Sequence, residues 1–303
     1  MRIFFATRVL YQRDRAFAMW YDSTVCSSFM STYCYLNGKI IPFRKASLKL
    51  NDLGVLRGYG VFDYLRTYHG KPLQLEDNLK RFRSSAKLIG LSVRYPKASL
   101  ERAISTLIKK NRLKEASVRM VLTGGPSSDF LTPEKPTLFI LATPFKPLPG
   151  RLYKKGGKLI TYEHLRQFPE AKSINYITAV KLQKRRRAEK AIDILYTYRS
   201  KILECSVSNF FMFIGNTLVT PKQDILNGIT RRTVMKLASK HFAVIERAIR
   251  VAELSHASEM FITAANKMVL PIVQIDDEII GTGKVGKNTR QLMQIFAEFV
   301  EKN

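Results

Sequence analysis

The stretch Glu170-Ala171-Lys172-Ser173-Ile174-Asn175-Tyr176 decides how this chain is read. It sets a lysine just before an Asn-Tyr pair and a helical run that starts at Ile177. A lysine taken alone is nearly always a solvated surface charge. Three later stretches change that. Leu203-Glu204-Cys205-Ser206-Val207-Ser208-Asn209 places one acid in an apolar strand before a serine-bearing turn, where a lone carboxylate is costly unless paired. Asn227-Gly228-Ile229-Thr230-Arg231 opens a helix at a turn whose free amides suit an anion, although such a turn is more often only a cap. Phe261-Ile262-Thr263-Ala264-Ala265-Asn266 ends a strand in small and polar residues.

Composition narrows the surroundings of these stretches. A chain of 303 residues has room for two domains with real cores, and 46% apolar content is ordinary for a globular protein. No apolar run is long enough to span a bilayer, so no membrane association is expected. Cys26, Cys34 and Cys205 cannot all pair, and their spacing fits no metal site. They read as free thiols in a reducing, cytoplasmic compartment. The net charge of +27 raises the question of a nucleic-acid partner. The basic residues, however, are spread along the whole chain. The densest cluster, Lys184-Arg185-Arg186-Arg187, lies on a predicted helix, and no nucleic-acid-binding motif surrounds it. Such charge speaks to solubility and to attraction of anionic small molecules. Residues 1–29 read as a disordered extension, with Asp14 and Asp22 arguing against a transit peptide.

The remaining chain alternates strand and helix signals. Tyr33 to Ile41 reads as a hairpin around Asn37-Gly38. Val61 to Tyr68 reads as a strand, and Leu75 to Ile89 as a helix with Leu79, Phe82, Ala86 and Ile89 on one face and Arg81 off it. A second amphipathic helix is predicted over Ser99 to Lys110, then strands over Ala116 to Leu122 and Thr137 to Ala142. Prolines and glycines between Thr143 and Gly157 mark a linker. Beyond it the pattern predicts a strand over Lys158 to Tyr162 and one helix over Ile177 to Ala191. Strands over Asp193 to Tyr198 and Phe210 to Ile214 follow, then a helix over Thr230 to His241. The chain closes with strands at Met260 to Thr263, Val269 to Ile275 and Glu278 to Ile280, and a helix over Asn288 to Glu301.

A lysine, a buried acid and a phosphate cradle are the parts that pyridoxal phosphate requires. The cofactor needs an amine for its aldehyde, an acid beside its pyridine nitrogen and amides for its phosphate. The freed amine can also serve as base if burial and a neighbouring cation depress its pKa. Lys172, Glu204 and the Gly228-Ile229-Thr230 turn fit these tasks in order.

Seven segments in unbroken order then carry a resemblance. They are Tyr59 to Asp63, Asn78 to Phe82 with Ser85-Ala86, Ser117-Val118-Arg119, Lys172 with Asn175-Tyr176, Glu204 with Ser208-Asn209, Gly228 to Arg231, and Phe261 to Pro271. From about Tyr35 to Val300 the chain resembles the class IV, or fold type IV, pyridoxal-phosphate aminotransferases. That family holds branched-chain and D-amino-acid aminotransferases and aminodeoxychorismate lyase. The resemblance implies an α+β, two-domain fold like that of D-amino-acid aminotransferase. A smaller α/β domain would span 30–148, a linker 149–157, and a larger pseudo-barrel cofactor domain 158–303. It implies that Lys172 bonds the cofactor and shuttles the proton, that Tyr176 meets its phenolic oxygen and that Glu204 meets its pyridinium nitrogen. Arg81, Ile229, Thr230 and the turn at Ala265 would hold the phosphate. Phe62, Tyr64, Arg66, Arg119 and Ala264 would line the substrate, the arginines forking onto carboxylates.

Several positions depart from the family pattern. Ala265 stands where a phosphate-binding Ser or Thr is usual, which weakens the grip or passes the task to Thr263 or Asn266. Asp63 replaces a usual Glu. Tyr64 stands where branched-chain enzymes have Gly, and Ser117 where they often have Tyr. The implied activity is transfer of an α-amino group from an amino acid, with branched-chain L-amino acids first, to a 2-oxo acid such as 2-oxoglutarate, by a ping-pong route in a homodimer. D-amino-acid transamination, aminodeoxychorismate lysis and a non-catalytic basic binding protein on the same scaffold are the alternatives.

Overall fold

The computed structural model describes residues 32–302. The extension expected over residues 1–29 lies outside the described residues. Two sheets divide the chain. The first is antiparallel throughout, in the order β2-β1-β6-β5-β3-β4, from β1 (Tyr33–Leu36), β2 (Lys39–Pro42), β3 (Gly60–Tyr68), β4 (Lys71–Pro72), β5 (Ala116–Thr123) and β6 (Thr137–Pro144). The hairpin turn follows its sequence signal: Asn37 and Gly38 both take positive φ, the geometry that lets a two-residue turn match strand twist.

Helix α1 (Leu53–Arg57) starts where the Asp52 carboxylate accepts the Gly54 N–H, and Gly58 ends it in the left-handed region. Helix α2 (Leu75–Leu88) carries Glu76 and Asp77 in its first turn and Lys87 in its last, complementing the helix dipole. It and α3 (Lys97–Lys110) bury Leu79, Phe82, Leu100, Ile104 and Leu107 against Val61, Leu65, Val118 and Met120 of the sheet. Each fully buried Leu or Phe contributes roughly 1.5–3 kcal/mol of transfer free energy. The period of two along β3 has a second effect. Val61, Asp63, Leu65 and Thr67 are buried towards the helices, so Phe62, Tyr64, Arg66 and Tyr68 face the other way.

The second sheet runs β12-β11-β10-β14-β15-β7-β8-β9-β13, with β16 added to β15. Its strands are β7 (Gly157–Glu163), β8 (Asp193–Tyr198), β9 (Lys201–Cys205), β10 (Asn209–Ile214), β11 (Thr217–Thr220), β12 (Ala243–Glu246), β13 (Ile249–Arg250), β14 (Glu259–Ala264), β15 (Met268–Ile275) and β16 (Glu278–Ile279). Val219 of β11 and Ile249 of β13 lie near opposite ends of that order, yet both belong to one core with Leu159, Phe210, Ile262 and Leu270. The sheet is therefore curled around a single interior, as a half-barrel. Its outer face packs Phe211, Phe213 and Phe261 against α7 (Ile229–Ala238) and α8 (Lys287–Glu301) through Val234, Leu292 and Phe296.

Two expectations change. The stretch read as a linker holds a helix, α4 (Gly150–Lys155), and β7 begins within it at Gly157. Leu152 and Tyr153 pack on the half-barrel core, which anchors the segment. The single helix expected over Ile177 to Ala191 is two short ones, α5 (Ile177–Lys181) and α6 (Gln183–Ala188). Ile177 and Val180 are exposed, while Ala179 and Leu182 are buried. No continuous apolar stripe runs through this basic segment to hold one straight helix.

Candidate active site

The lysine stretch is fastened to the first sheet by backbone. The Phe62 N–H donates to the Lys172 carbonyl at 2.9 Å, and the Ile174 N–H donates to the Gly60 carbonyl at 3.0 Å. Val61 and Ser173 form the bridge between them. Gly60 is required here, since a Cβ would lie 2.5 Å from the Leu122 carbonyl oxygen. The Lys172 N–H also donates to Ser85 Oγ of α2 at 3.0 Å. These contacts set Lys172 at the wall of a cavity of about 460 Å³ between the two sheets, a size suited to a small-molecule site.

All twelve residues proposed from the sequence line that cavity: Phe62, Tyr64, Arg66, Arg81, Arg119, Lys172, Tyr176, Glu204, Ile229, Thr230, Ala264 and Ala265. Lys172 Nζ sits 4.5 Å from the Phe62 ring centroid. Burial, and then the Arg81 guanidinium, bring its pKa down to about 7. Burial pushes the Tyr176 phenol up to about 12, so it stays a neutral donor near pH 7. Its ring meets Phe62 edge to face at 5.5 Å.

Glu204 is 6% exposed. Its Oε1 accepts Arg166 Nε at 2.9 Å and Nη2 at 2.6 Å, and its Oε2 accepts the Leu226 N–H at 3.1 Å. Burial pushes this carboxyl above the usual range, while Arg166 opposes the shift. Arg81 forms a two-point pair with the fully buried Asp63, Nε to Oδ2 and Nη2 to Oδ1, both at 2.8 Å. Asp63, shorter than the usual Glu, still reaches the guanidinium. Arg66 is stacked between the rings of Tyr68 and Phe145, at 3.8 and 3.6 Å. Arg119 stands 5.8 and 6.0 Å from the rings of Phe62 and Tyr64. The Tyr64 hydroxyl reaches Ser117 Oγ at 2.8 Å, so the bulky residue on β3 leans into room left by the small one on β5.

The anion cradle forms at α7. No side chain caps that helix, whose N-cap is Gly228. A Cβ there would lie 2.0 Å from Asn209 Oδ1, so any side chain at this turn would have to displace the Asn209 amide. Thr263 Oγ1 is buried at the cavity wall without a hydrogen-bond partner among the described residues. An amine near neutrality, a paired carboxylate, uncapped amides and an unpaired hydroxyl make a donor set that fits a phosphorylated pyridine aldehyde.

Sequence reasoning missed two groups. Arg166 is the partner of Glu204, and only its position six residues before Lys172 hinted at it. Lys267 is 4% exposed and donates to Asp193 Oδ2 at 3.2 Å and Ser208 Oγ at 3.0 Å. Ser206 and Ser208 donate to the two Asp193 oxygens at 2.6 and 2.8 Å. This buried network ties the Ala264–Lys267 turn to the turn after Glu204. Lys267 stands in the turn between β14 and β15, and nothing local in the sequence marked it as buried.

Comparison with known proteins agrees with this geometry. Residues 60–275 match the model of the family described as amino-transferase class IV. A Methanocaldococcus jannaschii protein, whose name as a branched-chain-amino-acid aminotransferase is itself inferred, is 32% identical over 88% of this chain and 96% of its own. The D-alanine aminotransferase of Listeria monocytogenes serotype 1/2a (strain 10403S) is 27% identical over 88% and 96%. The fold is that of the Escherichia coli branched-chain amino acid aminotransferase, with a TM-score of 0.83 at 22% identity over 89% of this chain and 95% of that one. With the family model covering most of its length and the cofactor's donor set gathered at one cavity, this chain belongs to the class IV aminotransferases, enzymes of fold type IV that work with pyridoxal phosphate.

Proposed function

We propose that the enzyme moves the α-amino group of a branched-chain L-amino acid to a 2-oxo acid such as 2-oxoglutarate, the two substrates alternating in one site by a ping-pong route. The observation that carries this reading is Lys172 at the wall of one cavity with Tyr176, Glu204 and the start of α7, its pKa brought down to about 7 by burial and by Arg81. When bound, pyridoxal phosphate supplies an electron sink for the charge left at the substrate Cα. Lys172 Nζ would hold the cofactor through its aldehyde and, when free, would take the substrate's Cα proton. Tyr176 would donate to the phenolic oxygen. Glu204, paired with Arg166, would meet the pyridine nitrogen and favour its protonated form. Arg81 and the amides of Ile229 and Thr230 would hold the phosphate, beside the Ala265 turn. Arg66 and Arg119 meet carboxylates, while Phe62, Tyr64 and Ala264 shape the space for the side chain.

A homodimer is part of the proposal. Leu50 is 87% exposed and Ile177, next to the lysine stretch, is 75% exposed. A second copy covering them would remove costly apolar surface. A cytoplasmic setting accords with the buried free thiols of Cys34 and Cys205. No described helix is long and apolar enough to cross a membrane.

One observation favours a second reading. Tyr64, a bulky residue where branched-chain enzymes have Gly, lines the cavity wall, and a D-alanine-sized substrate would need less room beside it. The deciding experiment follows the visible absorbance of the cofactor-loaded protein with L-leucine, L-glutamate and D-alanine. Bleaching by L-leucine and L-glutamate is expected. Bleaching by D-alanine alone would replace the branched-chain reading. Release of pyruvate from aminodeoxychorismate, with no amino acceptor present, would move the assignment to the lyase.

A further inference from the structure

Position 265 carries a methyl group where a phosphate ligand would need a hydroxyl. Two residues earlier, Thr263 is 1% exposed and its Oγ1 has no partner among the described residues. A buried hydroxyl left unpaired is destabilising, so its presence calls for a ligand atom. The register shows where it points. Asn209 of β10 is the direct partner of Thr263 on β14, so their side chains share one face of the sheet. Asn209 Oδ1 sits against Gly228, at the N-cap of α7. Phe211 and Phe261, two residues along each strand on that same face, pack in the core that α7 closes. Thr263 thus aims at the uncapped end of a ten-residue helix, and it lines the cavity together with Gly228, Ile229 and Thr230. The other unpaired hydroxyl, Thr289 Oγ1, lies on α8 and does not line the cavity.

We propose that the Thr263 hydroxyl, donated from within strand β14, binds the cofactor's phosphate in place of a side chain at position 265. The inference rests on the pyridoxal-phosphate reading of the site. A phosphate dianion between a hydroxyl and the α7 amides satisfies both, since charge-assisted bonds are the strong ones. The strand is a stiffer support than the turn at Ala264–Lys267, so the hydroxyl is held ready for the anion.

The test compares two ligands that differ only in the phosphate. Cofactor-free protein, wild type and Thr263→Val, is titrated with pyridoxal phosphate and with pyridoxal, following the absorbance of the bound aldehyde. The expected result is that Thr263→Val weakens pyridoxal phosphate roughly ten- to a hundredfold and leaves pyridoxal within about twofold. Thr263→Ser, which keeps the hydroxyl, should bind both like wild type. Inorganic phosphate should compete with pyridoxal phosphate on the wild type and lose potency on Thr263→Val, which places the effect on the phosphate group. Equal loss of both ligands, or no loss of either, would overturn the role of Thr263. A phosphate-specific loss in Asn266→Ala but not in Thr263→Val would move the contact to Asn266. Failure of the wild type to bind either aldehyde would instead overturn the cofactor reading itself.

Discussion

Two lysines of this chain are withdrawn from bulk water in different ways. Lys172 faces a cavity, with an aromatic ring beside its amine and Arg81 contributing a like charge. Lys267 is buried outright, with Asp193 at 3.2 Å and Ser208 at 3.0 Å. The side chain is the same and the outcomes are opposite. Where the buried amine has a carboxylate at bonding distance, the pair becomes a tie between two turns. Where its strongest charged influence is a guanidinium, its charge is discouraged, which suits the proposed nucleophile and base.

The strongest way to break this contrast is to exchange each lysine for an apolar residue. Lys172→Ala should lower transamination about 10⁴-fold, the contribution of a positioned base, without lowering the unfolding midpoint in urea. Retained turnover would move the chemistry elsewhere. Lys267→Met should do the reverse. It leaves Asp193 buried and unpaired, which costs about 3–5 kcal/mol of stability, read as a lower urea midpoint, and the double variant with Asp193→Leu should recover part of the loss. A Lys267→Met protein as stable as wild type would show that the pair is not a tie. The smallest effect is a titration. Because the pKa of Lys172 is lowered to about 7, its amine is protonated and unreactive below that pH. The rate at which ligand-free protein bonds pyridoxal phosphate should therefore rise through about pH 7 and level off above it, while Lys267→Met leaves the midpoint in place. A midpoint near that of an ordinary lysine would remove the basis for calling Lys172 activated.

The same contrast explains what was legible in the chain. Lys172, Glu204 and the Gly228-Ile229-Thr230 turn were readable because each stands in a local pattern: a lysine before Asn-Tyr, an acid in an apolar strand, a glycine at a helix start. Strands of eight or nine residues and α2 were readable from their periods. Lys267 with Asp193 was not, since the pair is 74 residues apart and only tertiary packing brings it together. Arg166 was hidden for the same reason, its partner Glu204 lying 38 residues on. The four- and two-residue strands β11, β12 and β13 are too short to show a period, and their register comes from neighbours in the sheet. At Ala265 the local pattern showed a loss and two residues that could cover it, Thr263 and Asn266, but not which, because the unpaired hydroxyl of Thr263 is a fact of burial.

The main-chain bridge between β3 and residues 172–174 has a consequence for how this enzyme can vary. The amine that would touch every substrate is indexed to the strand bearing Phe62, Tyr64 and Arg66, and the index is written in amide and carbonyl groups common to all residues. Side chains along that strand can therefore be exchanged without moving the reacting nitrogen. Selectivity can drift while the reaction stays in place, and proline at position 62 or 174, which removes an amide from the seam, is the replacement that would uncouple the two.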